Sequence, residues 1–547
     1  MSLKQSPEQR KSTRRNGEGT GTNYSWTEHR AITMVVLILV LYATGRLSPT
    51  NWWQRDSIQQ ASSRITKTFQ WVQIIPSEQL VYHDCFEGMQ CARLEVPMDW
   101  NDTSASDKIA IVVTKLPAKA HVTNVALSSS IQIADFSVGV QPPSADSTDP
   151  ISNMESPKPE RGSDSGQKPG RHLSTTPVVQ DTVALIERLG KWRENEGRQW
   201  LESKTGKKIA SSLGDAYSKV AVLKRTRWIL GQEKLSYWGF SYSTVIGTTF
   251  AAMYPSRAHR IVLDGVVDVP GYYNSSSTHR SQIQDAGKVL DHLMRLCFDS
   301  GSFTNCGLFD PRGPDIIKEN LFAILEKVKE RPVALPPSSM RGPQIITASD
   351  VDQHLHLALY FPLILAKPLF SPLHNLSLGE GTYFADLKSS ALHSDISPPP
   401  DHCKNAPLWT PECQTSDIFD DTGSLGIERT DDDDLSGWSE ERFLWYWDWS
   451  GKISEVMGSR KAKDTLNCMG WKLRAKWRFT KPFVGQTRSP LLLIGNTAHK
   501  IVHGFPGSVV LQHDAVGHIS ITAPCVLERR AAVGSFAAIG GAMISPM

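Results

Sequence analysis

The segment that most restricts the fold is Leu235-Ser-Tyr-Trp-Gly-Phe-Ser-Tyr-Ser-Thr-Val-Ile-Gly247. A short apolar run meets a cluster of small residues, then continues in small and apolar residues to Met253, which predicts a strand, a sharp turn and a helix. Such an elbow forces the residue at its apex, Ser241, into strained dihedrals and exposes its side chain at the top of the sheet. It needs small residues two before and two after, because neighbouring backbone approaches closely there. Gly239 meets that need, and Ser243 stands where a second glycine is usual. The helix opening at Tyr242 aims its unpaired N–H groups at the apex, where they favour developing negative charge. The backbone N–H of Tyr242 is therefore the candidate oxyanion donor.

A serine hydroxyl becomes nucleophilic only when a base takes its proton. His518, in Val516-Gly517-His518, lies just after the last predicted strand and is the candidate base. An isolated histidine is more often a satisfied core or surface group; the elbow upstream and the strand before it favour the base. His354 and His356, two apart on a predicted helix, face different sides and make a poor metal pair. His499 and His503 have no carboxylate or cysteine in their segment. Acyl transfer from serine needs neither metal nor organic cofactor, so none is implied.

The rest of the chain reads as a mixed α/β protein. Short strands are predicted at Leu80–Tyr82, Ala92–Val96 and Ile109–Thr114. Between Gln141 and Gly170, Pro, Ser and Gly fill half the positions and no aromatic occurs. That stretch cannot bury enough to offset its ordering entropy and reads as a disordered insert. Thr176-Pro177 predicts a helix start, and Tyr217–Leu230 is a second helical candidate. Further strands are predicted at Arg260–Gly265, Ser489–Gly495 and Ser508–Leu511. Asp315–Lys329 and Ala348–Ala366 read as helices, and the acidic run Asp431–Asp434 reads as loop. The cluster Phe443, Trp445, Tyr446, Trp447 and Trp449 is a packed helix face or, alternatively, a substrate-facing lid surface.

Apolar residues make up 40% of the 547 and charged residues 21%, which excludes disorder throughout, a collagen-like chain and a polytopic membrane protein. A net charge of +3 gives no argument for a nucleic-acid partner. Residues 1–30 are polar and basic, and an uncharged apolar run, Ala31–Gly45, follows. Spanning helices need about 20 residues; Trp52-Trp53 extends this run into the interfacial layer. A signal anchor with a cytoplasmic N-terminus is the expectation, with a cleaved signal or a buried helix as alternatives. Sequons at Asn101, Asn274 and Asn375 fit a secretory, glycosylated chain. Cys85/Cys91 and Cys297/Cys306 read as small-loop disulfides, and Cys403/Cys413 as a third candidate pair.

Several stretches resemble one family. Tyr237-Trp-Gly-Phe-Ser-Tyr-Ser-Thr, Phe250-Ala-Ala-Met-Tyr-Pro and Val262-Leu-Asp-Gly-Val-Val-Asp are similar to the tripeptidyl aminopeptidase-like branch of the α/β-hydrolases, fungal and actinobacterial, related to proline iminopeptidases. Cys85–Trp100 resembles that family's N-terminal segment. Gly495-Asn-Thr-Ala and Phe505-Pro-Gly-Ser-Val-Val-Leu through Gly517-His-Ile-Ser resemble its C-terminal region. The resemblance implies an α/β-hydrolase fold with a mainly helical cap and a serine hydrolase acting on peptide-like or ester substrates. Ser241 would be the nucleophile and His518 the base.

Together with the composition and hydropathy readings it gives the expected organisation: a basic tail at 1–30, the anchor at 31–50, N-terminal core strands at 79–125, the low-complexity insert at 126–172, core with the elbow at 173–275, a helical cap or lid at 276–480, and a final core segment with His518 at 481–530. Two family features are missing. The Gly-rich loop after an early strand, which supplies a second oxyanion donor, is replaced by the insert. The family's acid-bearing turn after Gly-Asn-Thr-Ala is absent, since no Asp or Glu occurs from Gly495 to Ser508. Asp264, Asp268 and Asp514 are the possible substitutes. The expected activity is a peptidase-like serine hydrolase working through an acyl-enzyme, with the catalytic domain lumenal or extracellular. The alternatives are an esterase, a catalytically impaired relative, and a chain that folds poorly for want of a central strand.

Overall fold

The computed structural model describes residues 69, 71–86, 88–104, 107–117, 130–133, 169–212, 214–274, 283–338, 341–392, 422–495, 504–512 and 516–520. The apolar run 31–45, the insert at 141–168, Cys403, Cys413, His499, His503 and Asp514 lie outside them. No described helix is long and apolar enough to cross a membrane.

The N-terminal part is an antiparallel sheet of β1 (His83–Asp84), β2 (Gln90–Pro97) and β3 (Lys108–Lys115). The Cys85–Cys91 disulfide closes the turn between β1 and β2. Leu80–Tyr82 is not a strand, yet Leu80 is buried with Ala92, Leu94, Val96, Ile109 and Ile111 in a small core.

A second strand system starts where the sequence reads as low-complexity insert. β4 (Ser130–Ile133) pairs in parallel with the elbow strand. Four residues beside a Ser-rich stretch give too short a period-2 signal to read; the strand is defined by its neighbour, not by its own pattern. Among the described residues β4 is the edge strand of its sheet.

The long helix α1 (Thr175–Glu202) follows, with Ser174 rather than Thr176 at its N-cap, so that Pro177 falls in the first turn. α2 (Lys204–Ser212) and α3 (Lys219–Thr226) come next, the latter capped by Ser218 Oγ, which accepts from the N–H of Ala221. β5 (Leu235–Phe240) leads into α4 (Tyr242–Met253), then β6 (Ala258–Asp264) and the short α5 (Val269–Tyr272).

A helical region then runs through α6 (Ala286–Asp299), α7 (Pro314–Glu330), the hairpin β7 (Val333–Leu335) and β8 (Gln344–Ile346), α8 (Ala348–Tyr360), α9 (Lys367–Ser377), α10 (Thr382–Leu392), α11 (Thr422–Asp431), α12 (Glu440–Ile453) and α13 (Gly458–Met469). α8 stops at Tyr360, short of the expected Ala366. Pro362 has no N–H to continue it, and the chain passes into a π-helical turn at Pro362–Ala366. This region has its own core, with Leu293, Leu321, Leu355, Leu373 and Phe384 at its centre. The Cys297–Cys306 disulfide ties its first loop. The aromatic cluster on α12 divides: Phe443 and Tyr446 are buried, whereas Trp445 is 59% exposed and stacks on Trp449.

β9 (Leu492–Gly495) and β10 (Val509–Gln512) complete a five-stranded sheet of order β10-β9-β6-β5-β4, parallel throughout. Leu235, Tyr237, Leu263 and Leu493 pack from one face of it against Val179 and Ile186 of α1 and Val245, Ile246 and Phe250 of α4. Val262, Leu492 and Ile494 form a smaller cluster with Trp238 and Leu511, the alternate positions that a two-residue period assigns to the other face. The architecture is α/β, with a parallel sheet. All carboxyl strand ends lie along one edge, where open parallel sheets expose their loops and bind ligands.

Candidate active site

Ser241 sits between the end of β5 and the first turn of α4 with φ 52° and ψ −121°. Among the described residues it is the one non-glycine with positive φ. A side-chain-bearing residue held there costs of order 1–3 kcal/mol, maintained only where surrounding contacts over-determine it. Those contacts are visible. The N–H of Ser241 donates to Asp264 O at 3.0 Å, and its carbonyl accepts from Thr244 N (2.8 Å) and Thr244 Oγ1 (2.6 Å). Thr244 Oγ1 in turn accepts from Val267 N, so the elbow turn is tied to the loop after β6.

The small flanking residues are explained by the same crowding. A Cβ on Gly239 would lie 2.4 Å from the buried Tyr237 ring and 2.8 Å from Ser243 O. Tyr237 hydroxyl donates to that same carbonyl at 2.6 Å. Ser243 fits in place of glycine because it lies inside the helix with ordinary helical dihedrals, fully buried. Tyr242 is the first residue of α4, so its N–H has no acceptor within the helix. Its side chain is half-buried, and the phenol shares a 2.7 Å hydrogen bond with Thr175 Oγ1.

His518 arrives from 277 residues away. Its Nε2 lies 2.5 Å from Ser241 Oγ. Three anchors hold the loop that carries it. Asp264, wholly buried at the end of β6, accepts from Ser520 N (2.9 Å) and Ser520 Oγ (2.5 Å). His518 N–H donates to Tyr360 O at 3.1 Å, and the Tyr360 ring packs on the imidazole with centroids 4.4 Å apart. Gly265, at φ 68°, lets the loop pass close: a Cβ there would stand 2.6 Å from His518 O. Asp264 thus grips both halves of the site, the serine through its backbone carbonyl and the histidine loop through its carboxylate.

Burial is the cause that lowers the His518 pKa, to about 4, because desolvation disfavours imidazolium. The imidazole is therefore neutral near pH 7, the form able to accept a proton. Among the described residues no carboxylate hydrogen-bonds it. Of the candidate acids, Asp264 is committed to Ser520, and Asp268 stands at the N-cap of α5; Asp514 lies outside the described residues, as do 496–500. His354 and His356 do not act as a pair: His354 Nδ1 meets Asp350 O at 2.7 Å, whereas His356 packs on Tyr360 with centroids 4.6 Å apart.

One group beside the site was not legible as such. Asp431, read as the start of an acidic loop, closes α11 and is buried. Its carboxylate accepts from Thr175 N (3.0 Å), Thr175 Oγ1 (2.5 Å) and Tyr272 hydroxyl (3.2 Å), capping the positive end of α1. Burial pushes it up to about 7, against the lowering effect of the Thr175 donors, Tyr272 and Arg478. The helical region is thereby latched to the core through Thr175, whose hydroxyl also meets Tyr242. Its capping partner is 256 residues away, so no local pattern announces it.

No protein-family profile matches the chain. It is 27% identical over 176 residues to the serine protease Hip1 of Mycobacterium tuberculosis, and equally to that of Mycobacterium bovis; the match covers 31% of this chain and 32% of the relative. It is 26% identical over 222 residues to the putative hydrolase YuaR of Escherichia coli, covering 38% of this chain and 42% of that protein. The chain thus spans less than half the length of the curated relatives it matches. An α/β chain with a parallel sheet, it is similar over part of its length to a bacterial serine protease and to a bacterial protein named a putative hydrolase.

Proposed function

We propose that the chain is a serine hydrolase of the α/β-hydrolase fold, peptidase-like, working through an acyl-enzyme on Ser241. The observation that carries this reading is the 2.5 Å contact of His518 Nε2 with a hydroxyl held at positive φ on a strand-to-helix elbow. His518 takes the Ser241 proton as Oγ attacks the substrate carbonyl, and returns it to the leaving amine or alcohol. The N–H of Tyr242 faces the oxygen that gains charge, aided by the helix start behind it. Water then attacks the ester, with His518 again as base, releasing the acid and restoring the serine. The partial likeness to Hip1 and YuaR supports hydrolase chemistry. The exopeptidase, tripeptidyl aminopeptidase-like assignment and the helical region's role as substrate cap rest on the resemblance of the motifs. One observation favours a slow, impaired relative as the second reading: no carboxylate orients His518 among the described residues.

The test is hydrolysis of a tripeptide p-nitroanilide with a free amino terminus, set against its N-acetylated form and a p-nitrophenyl ester. Cleavage of the free tripeptide above all supports the exopeptidase; ester cleavage alone supports the esterase; none by folded protein supports the impaired relative. The pH profile carries a second expectation. Burial lowers the His518 pKa, so the proton-accepting form persists as pH falls, and kcat/KM keeps its plateau to an acid limb near 4. A limb near 6.5 would show an exposed histidine as the base.

The apolar run at 31–45 and the two disulfides support a membrane-anchored chain whose core is lumenal or extracellular. Release of the full-length chain by alkaline carbonate would refute the anchor.

A further inference from the structure

We propose that Tyr360, the last residue of α8, is a positioning residue for His518, so that the helical region sets the aim of the base. The inference rests on the reading of Ser241 and His518 as nucleophile and base. A proton-accepting imidazole must keep Nε2 on the serine oxygen and resist rotation. A carboxylate on Nδ1 does this in a triad, but among the described residues none is there. Tyr360 supplies two constraints of another kind. Its carbonyl accepts the backbone N–H of His518, fixing where the side chain starts. Its ring lies on the imidazole at 4.4 Å and 42°, restricting rotation about the side-chain bonds and excluding water from one face.

Both constraints follow from how α8 ends. The last carbonyls of a helix lack intrahelical donors, and here the chain breaks at Phe361 (φ −125°, ψ 61°) before Pro362. At this helix end the Tyr360 carbonyl accepts its donor from the core, the His518 N–H, at 3.1 Å. The ring is itself backed by His356, one turn earlier, at 4.6 Å. His356 is kept neutral by burial first and then by Arg460, with His518 and Lys461 acting in the same direction, its pKa lowered to about 4. An uncharged stack of His356, Tyr360 and His518 runs from the helical region to the serine.

The test uses the full chain with Tyr360→Phe, Tyr360→Leu and Tyr360→Ala, and His518→Ala as reference. Tyr360→Phe keeps ring and carbonyl and should retain kcat within about twofold. Tyr360→Leu keeps volume without the stack, and Tyr360→Ala removes both. These two should lower kcat about 10- to 100-fold, the scale on which a misplaced group costs rate, with KM within threefold. Water reaching the imidazole should also move the acid limb up from about 4 toward the 6.5 of free histidine, so that loss is greatest at pH 5. A merely structural role would lower the amount of folded enzyme and leave the limb in place. Should Tyr360→Ala fail to fold, Tyr360→Leu decides the matter by the same two readouts. Wild-type kcat and limb in Tyr360→Leu, or a loss in Tyr360→Phe equal to that in Tyr360→Leu, overturns the proposal. Full activity in His518→Ala would instead overturn the base assignment beneath it.

Discussion

Ser241→Ala is expected to abolish acyl-enzyme formation and to lower kcat/KM by at least about 10²-fold. The size of the loss is informative. In a protease with a complete triad, removing the serine costs roughly 10⁶ in turnover, whereas removing the acid alone costs about 10⁴. The ratio, about 10², is what the serine still contributes when the acid is absent. A loss near 10² therefore marks a two-residue site, and one near 10⁶ shows that an acid outside the described residues completes it. Alanine keeps the Cβ and the positive φ, so the variant should fold with wild-type stability. Ser241→Gly makes the complementary control. It is equally inactive, yet relieves a backbone strain of about 1–3 kcal/mol and should unfold at higher denaturant. Inactivity with gained stability marks a residue retained for chemistry rather than for the fold.

Asp264→Ala has the second large effect, on stability and rate together. The carboxylate accepts two hydrogen bonds from Ser520, and the position is wholly buried. The Ser520 donors are part-buried, and losing both hydrogen bonds at about 0.5–1.5 kcal/mol each should cost the variant about 1–3 kcal/mol in urea unfolding. The loop carrying His518 is released with it, and kcat/KM should fall by about 10²-fold, the penalty of a misaimed base. Asp264→Asn keeps one acceptor and should fall between. The acid limb distinguishes this role from that of a triad acid. Asp264 does not hydrogen-bond the imidazole, so the folded fraction of Asp264→Asn should keep its limb near 4. A limb that moved with this substitution would show direct coupling to His518 and return Asp264 to the list of candidate acids.

Legibility in the sequence followed the range of the interaction. The elbow is local: a strand, Gly239, Ser241 and small helical residues are adjacent, and the steric demand they meet is the one the structure displays at Tyr237 and Ser243. The close cysteine pairs were equally readable, because short loops leave few geometries. β4 was not, since four residues carry too short a pattern and become a strand only beside β5. Asp431 was misread because its ligand, the start of α1, is distant in sequence, and an acidic run ordinarily means a solvated loop. Asp264 was singled out for its charge beside the site; its connection to Ser520 instead of to the imidazole depends on a contact across 256 residues that no spacing encodes. Tyr360 gave no signal at all, since the sequence reads as continuous helix to Ala366, past the point where α8 ends.

The central claim is that His518 activates the Ser241 hydroxyl, and covalent labelling with a fluorophosphonate, followed by peptide mapping, tests it most directly. The account predicts one adduct, on the peptide carrying Ser241, formed at a rate that falls only below about pH 4 and is strongly reduced in His518→Ala. Folded protein that stays unlabelled, or an adduct on a different serine, would contradict it.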